Sequence, residues 1–255
     1  MKIEKKINIP RFPKDIEITK LLESIGLNNK FLNKKNGNVL RPNLKKLFFL
    51  YKLITLNKRL TALEFGSGWS TLILSLALGT NLKKYKNNTI NLKNDKFEIF
   101  SLDNSKKYLN ISKKRLSFFK NKPSAKVNFF YSPVKMSEFE SRICTEYTNL
   151  PSCNPDFIYL DGPDQFNIKG DINGISTRHK DMMPMANDIL KFEYFFTPGT
   201  IIVCDGRAAN AKFLRDHFKR NWKYLNDRIN DQHVFWLDDP VLGKINQAQL
   251  SFYKS

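Results

Sequence analysis

Leu60–Gly79, LTALEFGSGWSTLILSLALG, limits the fold more than any other stretch of this 255-residue chain. Leu60 to Phe65 is a mainly apolar run of strand length. It breaks at Gly66-Ser67-Gly68, and Ser70 and Thr71 open a second apolar run, long enough for a helix. Strand, glycine turn and helix in that order form the cradle that α/β proteins build for a nucleotide-like ligand. The glycines let the backbone turn tightly and let a ligand come close. The first helical turn adds N–H groups that have no partner within the helix. A tight turn of this kind also occurs without a ligand, so the stretch alone leaves both readings open.

The rest of the chain extends the strand–helix alternation. Runs at Phe97–Leu102, Val127–Tyr131, Asp156–Leu160 and Thr200–Cys204 read as buried strands, and Trp222–Leu225 with His233–Leu237 reads as a closing hairpin. Helices are expected over Tyr108–Phe119, Asp188–Phe196 and Ala208–Arg220. Residues 132–154 read as a short helix and a loop, and the lysine- and asparagine-rich stretch 81–96 as a surface insertion. The polar segment 163–185 reads as a lid, because long connections inside domains are often functional. The tail after Pro240 carries no clear signal. These elements predict an α/β fold: a doubly wound, mostly parallel seven-stranded sheet with a C-terminal antiparallel hairpin.

Residues 1–58 are expected to form a basic arm and two helices appended to a domain spanning 59–255. Asp15 is placed as the cap of the first helix, with Ile18, Leu21, Leu22 and Ile25 on its apolar face. Pro42 is placed in the first turn of the second, with Leu44, Leu47, Phe48, Tyr51 and Ile54 at helical spacing. Residues 1–14 read as an irregular arm and 27–41 as a polar loop. Charge concentrates in this region. The chain carries a formal +19, and residues 1–60 hold fifteen Lys/Arg against four Asp/Glu. That excess favours an anionic partner, such as nucleic acid, a phosphorylated sugar or a membrane surface. A general lysine and asparagine bias also accounts for part of it. Three cysteines without a C-x-x-C pair, no apolar leader and no membrane-length apolar run point to a reducing, cytoplasmic setting.

Four acids end four expected strands: Glu64, Asp103, Asp161 and Asp205. Glu64-Phe65-Gly66-Ser67-Gly68 lacks the third glycine of a dinucleotide fingerprint, since Thr71 stands there. An acid before the glycines suits a ligand with an amino group. With these residues, Leu60–Leu237 resembles the class I S-adenosylmethionine (SAM)-dependent methyltransferases, whose Rossmann-like sheet ends in a reversed strand. The resemblance implies that Glu64, Gly66, Ser67, Gly68, Ser70 and Thr71 hold the methionine part of SAM. It implies that Asp103 holds the ribose hydroxyls and that Asp161 faces the methyl group.

Asp161-Gly162-Pro163-Asp164 departs from the motif of nucleic-acid amino-methylases. No cysteine follows a proline, and the strand Thr200–Cys204 lacks the lysine of ribose methylases. The metal-dependent O-methyltransferases compare better, with Asp161, Asp205 and Asn210 in the places that would hold Mg²⁺. Asn210 lies five residues beyond Asp205, whereas that family has the two adjacent. Arg207 is a candidate clamp for an anionic substrate, with an ion pair to Asp161 or Asp205 as the other reading. His179 is a candidate general base, although a solvated loop histidine is the simpler reading. The expected function is methylation of a hydroxyl on a small-molecule or glycan substrate. The alternatives are RNA methylation, with the basic N-terminal region docking phosphates, and an NAD-binding or non-catalytic Rossmann-like protein.

Overall fold

A computed structural model describes residues 7–10, 14–27, 41–119, 122 and 124–255. Most of the expected basic arm (1–14) and polar loop (27–41) therefore lies outside the described residues. Two helices precede the sheet, α1 (Asp15–Ser24) and α2 (Leu44–Leu56). The cap positions differ from expectation. Lys14 is the cap residue of α1 and Asp15 its first helical residue. Asn43 caps α2, its Oδ1 accepting from the Lys45 and Lys46 amides at 3.1 and 3.2 Å, and Pro42 stands just outside.

Strand β1 (Thr61–Phe65) leads through the glycine turn into α3 (Trp69–Tyr85). There follow β2 (Glu98–Asp103), α4 (Lys106–Ser117), β3 (Lys126–Tyr131), β4 (Val134–Phe139), β5 (Arg142–Tyr147), β6 (Phe157–Leu160) and β7 (Ile168–Lys169). The chain ends with α5 (Asp188–Lys191), β8 (Ile201–Asp205), α6 (Ala208–His217), β9 (Trp222–Asp227), β10 (Gln232–Leu237) and α7 (Gly243–Lys254). The main sheet has the order β3-β2-β1-β6-β8-β10-β9. Its first five strands are mutually parallel, and β10 runs antiparallel to both β8 and β9.

Alternation along the strands splits the core in two. Ala62, Phe157, Tyr159, Ile201 and Val203 face α1, α2, α3 and α7. Leu63, Phe65, Ile158, Leu160, Ile202 and Cys204 face α5, α6 and a second sheet. Both faces are thus covered, which is why these strands read as continuous apolar runs.

The second sheet, order β5-β4-β7, corrects the expectation for 132–154. A hairpin stands there, with Phe139 paired to Arg142. Its turn residues, Glu140 and Ser141, both take positive φ (46° and 61°). Such a turn normally announces itself with glycine or asparagine, and here it does not. The segment 163–185 is tied down by β7, which pairs with β4 and buries Ile168. The expected helix at 188–196 is one α turn and a 3₁₀ turn. Helix α3 runs to Tyr85, six residues beyond Gly79 and into the expected insertion. The tail is helical because Phe252 and Tyr253 pack into the core beside α2 and α3.

Candidate active site

The carboxyl ends of β1, β2, β6 and β8 meet along one edge of the sheet, where a cleft of about 470 Å³ opens. Its floor is a contact between two loops. Gly66 takes φ +94°, and a Cβ there would lie 2.7 Å from the Gly162 amide nitrogen. A Cβ on Gly162 would lie 2.7 Å from the Gly66 nitrogen and from the Tyr147 hydroxyl. Both positions require glycine. The glycine turn and the Asp161–Gly162 loop are therefore one backbone-on-backbone unit.

Asp103 braces this turn from the end of β2. Its Oδ2 accepts from the Ser67 amide at 2.6 Å and its Oδ1 from the Ser105 amide at 2.7 Å. Its carboxyl is pushed up to about 6, by burial first, against the opposing pull of these two amides. Asp103 lines the cleft, as do Gly66, Ser67, Gly68 and Ser70.

Glu64 is placed differently. It is fully buried and does not line the cleft. Its carboxylate accepts from Ser70 Oγ (2.5 Å), Thr71 Oγ1 (2.6 Å) and Ser101 Oγ (2.6 Å). Thr71 Oγ1 also accepts from the Gly68 amide at 3.0 Å. Glu64, Ser70 and Thr71 thus form a hydroxyl–carboxylate knot behind the turn. This corrects the expectation that Glu64 touches a ligand's amino group: all its acceptor capacity points inward. Thr71 explains the missing third glycine, because its hydroxyl fastens the start of α3. Burial raises the Glu64 carboxyl to about 7 against the three hydroxyl bonds.

Asp161 and Asp205 come together at the far wall. The Asp161 side chain is 46% accessible, and it opens into the cleft. Burial first, and then the Asp205 charge, push it up to about 7, while Arg207 and Lys46 oppose the shift. Lys46, from α2, was not foreseen. Its Nζ lies 2.7 Å from Asp205 and 3.0 Å from Asp231. Gln232 Nε2 also donates to Asp205. Arg207 donates through Nη2 to the Asp161 and Pro163 carbonyls at 2.6 and 3.1 Å, and its Nε lies 3.9 Å from the Asp161 carboxylate. It pins the Asp161–Pro163 loop, so the ion-pair reading describes it better than the substrate clamp. Buried Nη1 has no hydrogen-bond partner among the described residues.

The expected Mg²⁺ set does not assemble. Asn210 is fully buried and faces the other way: its Oδ1 accepts from the Ala186 amide (3.0 Å) and its Nδ2 donates to the Ala186 carbonyl (3.1 Å). Asp205 is already engaged by the Lys46 ammonium and the Gln232 amide. No trio of His, Cys, Asp or Glu among the described residues is arranged to hold a metal ion. His179 is likewise outside the cleft. Its side chain is 64% accessible and accepts the Asp181 amide at 3.2 Å.

Two cleft residues beyond Lys46 escape motif reading. Tyr159 faces the α2 side of β6, and Arg115 lies on α4 against Trp69, 4.0 Å from the ring centroid. The helical spacing Leu109–Ser112–Arg115 does place Arg115 on the buried face of α4, and that is the signal that could have found it.

The five parallel strands, the reversed β10 inserted before β9, and the glycine turn after β1 decide the fold. The chain has the class I methyltransferase fold. No family model and no curated protein matches the sequence. Solved methyltransferase structures align with most of it. An O-methyltransferase from Bacillus cereus in complex with SAH is 14% identical, with 89% of this chain and 92% of that chain covered and a TM-score of 0.38. A methyltransferase from Geobacter sulfurreducens is 9% identical, with 89% and 91% covered and a TM-score of 0.45. A putative O-methyltransferase from Klebsiella pneumoniae is 14% identical, with 91% and 92% covered and a TM-score of 0.42. No helix among the described residues is long and apolar enough to cross a membrane.

Proposed function

We propose that this chain is a SAM-dependent methyltransferase that methylates a hydroxyl of a small, glycan-like or anionic acceptor, with Asp161 as the proton acceptor. The observation that carries the reading is the Gly66–Gly162 contact. It fixes the Asp161 carboxyl beside the glycine cradle, inside the same cleft. The cradle suits SAM: the glycines let its two loops touch backbone to backbone, which a Cβ at Gly66 or Gly162 would force apart, and Asp103 at its edge keeps acceptor lone pairs for ribose hydroxyls after bonding Ser67 and Ser105. Gly66, Ser67 and Gly68 would hold the methionine part through their backbone. Glu64 would hold the turn rather than the ligand.

When bound, SAM supplies an activated methyl group. The chain's own residues orient the acceptor and take its proton. Methyl transfer is an in-line displacement, so fixing the two partners contributes much of the acceleration. A carboxylate raised to about 7 is a better base for a hydroxyl than an ordinary surface Asp, yet half of it is ionised near neutral pH. Lys46 lies against Asp205 and Arg207 beside Asp161, so each carboxyl of the pair faces a cation. The residues present do not favour Mg²⁺, and no step is assigned to it.

The test is transfer of labelled methyl from SAM to a panel of glycans, nucleotide sugars, phenols and RNA, with and without chelator. Label on a small-molecule hydroxyl, retained after metal removal, is the expected result. Label on RNA alone would replace the acceptor assignment. Thermal stabilisation by NAD and not by SAH would replace the donor.

A further inference from the structure

Arg115 is a buried cation without a counter-ion. The residue is 2% exposed, and its Nε and Nη2 are buried with no hydrogen-bond partner among the described residues. The residues outside the described set include one acid, Glu4. Burial lowers the guanidinium to about 10, so it stays charged at neutral pH. A buried charge left unpaired is costly. The other two buried or half-buried cations of the cleft are engaged: Lys46 by Asp205 and Asp231, Arg207 by two carbonyls and Asp161.

The pair left free on Arg115 matters. Nε–H and Nη2–H are the two parallel donors along one edge of the guanidinium, at the spacing of two oxygens of a carboxylate or phosphate. Stacking on Trp69 fixes the plane of that edge. Arg115 forms the cleft wall together with Gly68, Trp69, Tyr108 and Ile111. Ser112, one turn earlier on α4, donates to the Gly68 carbonyl at 3.3 Å and so locks α4 against the glycine turn. We infer that Arg115 is an oxyanion-binding site at the Gly68–Trp69 end of the cleft, taking a carboxylate or phosphate side-on through Nε and Nη2. The oxyanion has two possible sources, the carboxylate of the methyl donor or an anionic group of the acceptor.

The experiment compares the wild-type chain with Arg115→Leu and Arg115→Lys. It reads the melting temperature of the free protein and the affinities for SAH, for 5′-methylthioadenosine (which lacks the carboxylate) and, at saturating SAH, for inorganic phosphate. If the site takes the donor, Arg115→Leu weakens SAH by about tenfold or more and leaves 5′-methylthioadenosine unchanged. If it takes the acceptor, SAH affinity is retained and the phosphate effect is lost. In either case the free Arg115→Leu protein melts no lower than wild type, because an unpaired buried charge has been removed. Arg115→Lys, which keeps the charge and loses the side-on pair, falls between. The inference is overturned if all three probes bind the variants as they bind wild type. It is also overturned if SAH and 5′-methylthioadenosine weaken together with phosphate unaffected, since Arg115 would then only support the turn. Should Arg115→Leu not fold, Arg115→Lys decides by the same ratios. The donor arm rests on the SAM reading. A wild-type chain that binds no SAH sinks that reading, and the phosphate arm, run without SAH, then decides the site.

Discussion

At the scale of single residues, two acids with raised pKa values, one open to the cleft and one sealed in the core, do different work, and titration separates them. Asp161 opens to the cleft, so its protonation governs turnover. Asp161→Asn should lower kcat by about 10²–10⁴-fold, the usual contribution of a general base, with the SAH dissociation constant changed by no more than a few-fold. Loss of SAH binding instead would mean that Asp161 belongs to the cradle. In the wild type, kcat/KM should rise with pH through about 7, the value of the Asp161 carboxyl. Glu64 is sealed inside, so its protonation governs stability. Its folded value, about 7, lies above the ordinary 4.5, so the native state holds the proton more tightly than the unfolded chain. The resulting stabilisation is complete below about 4.5 and is lost as pH rises through about 7. Glu64→Gln removes that titration. Melting temperatures of the two proteins from pH 4 to 8 should therefore diverge, with the wild type losing ground as pH rises. Parallel curves would show that Glu64 stays ionised in the fold.

At the scale of elements, α2 is the part that sequence reading left outside the site and the structure brings into it. Its apolar stripe was visible, and of it Leu47, Phe48, Tyr51 and Ile54 are buried, together with Phe49, Leu50 and Leu53 beyond it. Lys46 was not visible, because one of its partners, Asp231, is 185 residues away and no local pattern marks a lysine that reaches across the fold. The same logic sorts the rest. The inner strands β1, β6 and β8 were legible because both faces are covered and each is an apolar run, while the edge strands β3 and β9 are only half-buried or exposed. The β4–β5 hairpin was not, because Glu140-Ser141 carries no turn signature. Four acidic strand ends were legible as positions, but their directions were not. Glu64 turns inward to three hydroxyls, and Asn210 turns to the Ala186 backbone. Helix α2 carries a prediction of its own. The Lys46 charge holds the Asp161 carboxyl down against burial and Asp205. Lys46→Met should therefore move the rising limb of the kcat/KM profile to higher pH. A limb that stays in place would mean that solvent in the cleft screens the ammonium from Asp161.

At the scale of the whole molecule, the edge opposite the cleft is closed by the C-terminal helix against the entries to β1 and β6. Asp156, at the entry to β6, accepts from the Leu60 amide at 2.9 and 3.0 Å and from the Thr61 amide at 2.8 Å. Tyr253 of α7 donates its hydroxyl to the same carboxylate at 2.6 Å. Arg59 lies 3.7 Å from the centre of the Tyr253 ring and donates to the Gly199 carbonyl at 2.7 Å. One buried cluster therefore joins the start of β1, the start of β6, the turn before β8 and the C-terminal helix. It sits at the amino ends of the parallel strands, a strand length (roughly 15 Å) from the carboxyl ends where the cleft lies. That separation makes stability and ligand binding independently testable. Tyr253→Phe removes one hydrogen bond to a charged group and keeps the ring under Arg59. It should cost about 1.5–3 kcal/mol in urea unfolding and leave SAH affinity unchanged. Deleting α7 removes the burial of Phe252 and Tyr253 as well, so the loss should exceed that of Tyr253→Phe by several kcal/mol. If Tyr253→Phe weakened SAH binding as strongly as it lowered stability, the two edges of the sheet would be coupled, and the cleft geometry would depend on how the C-terminal helix is fastened.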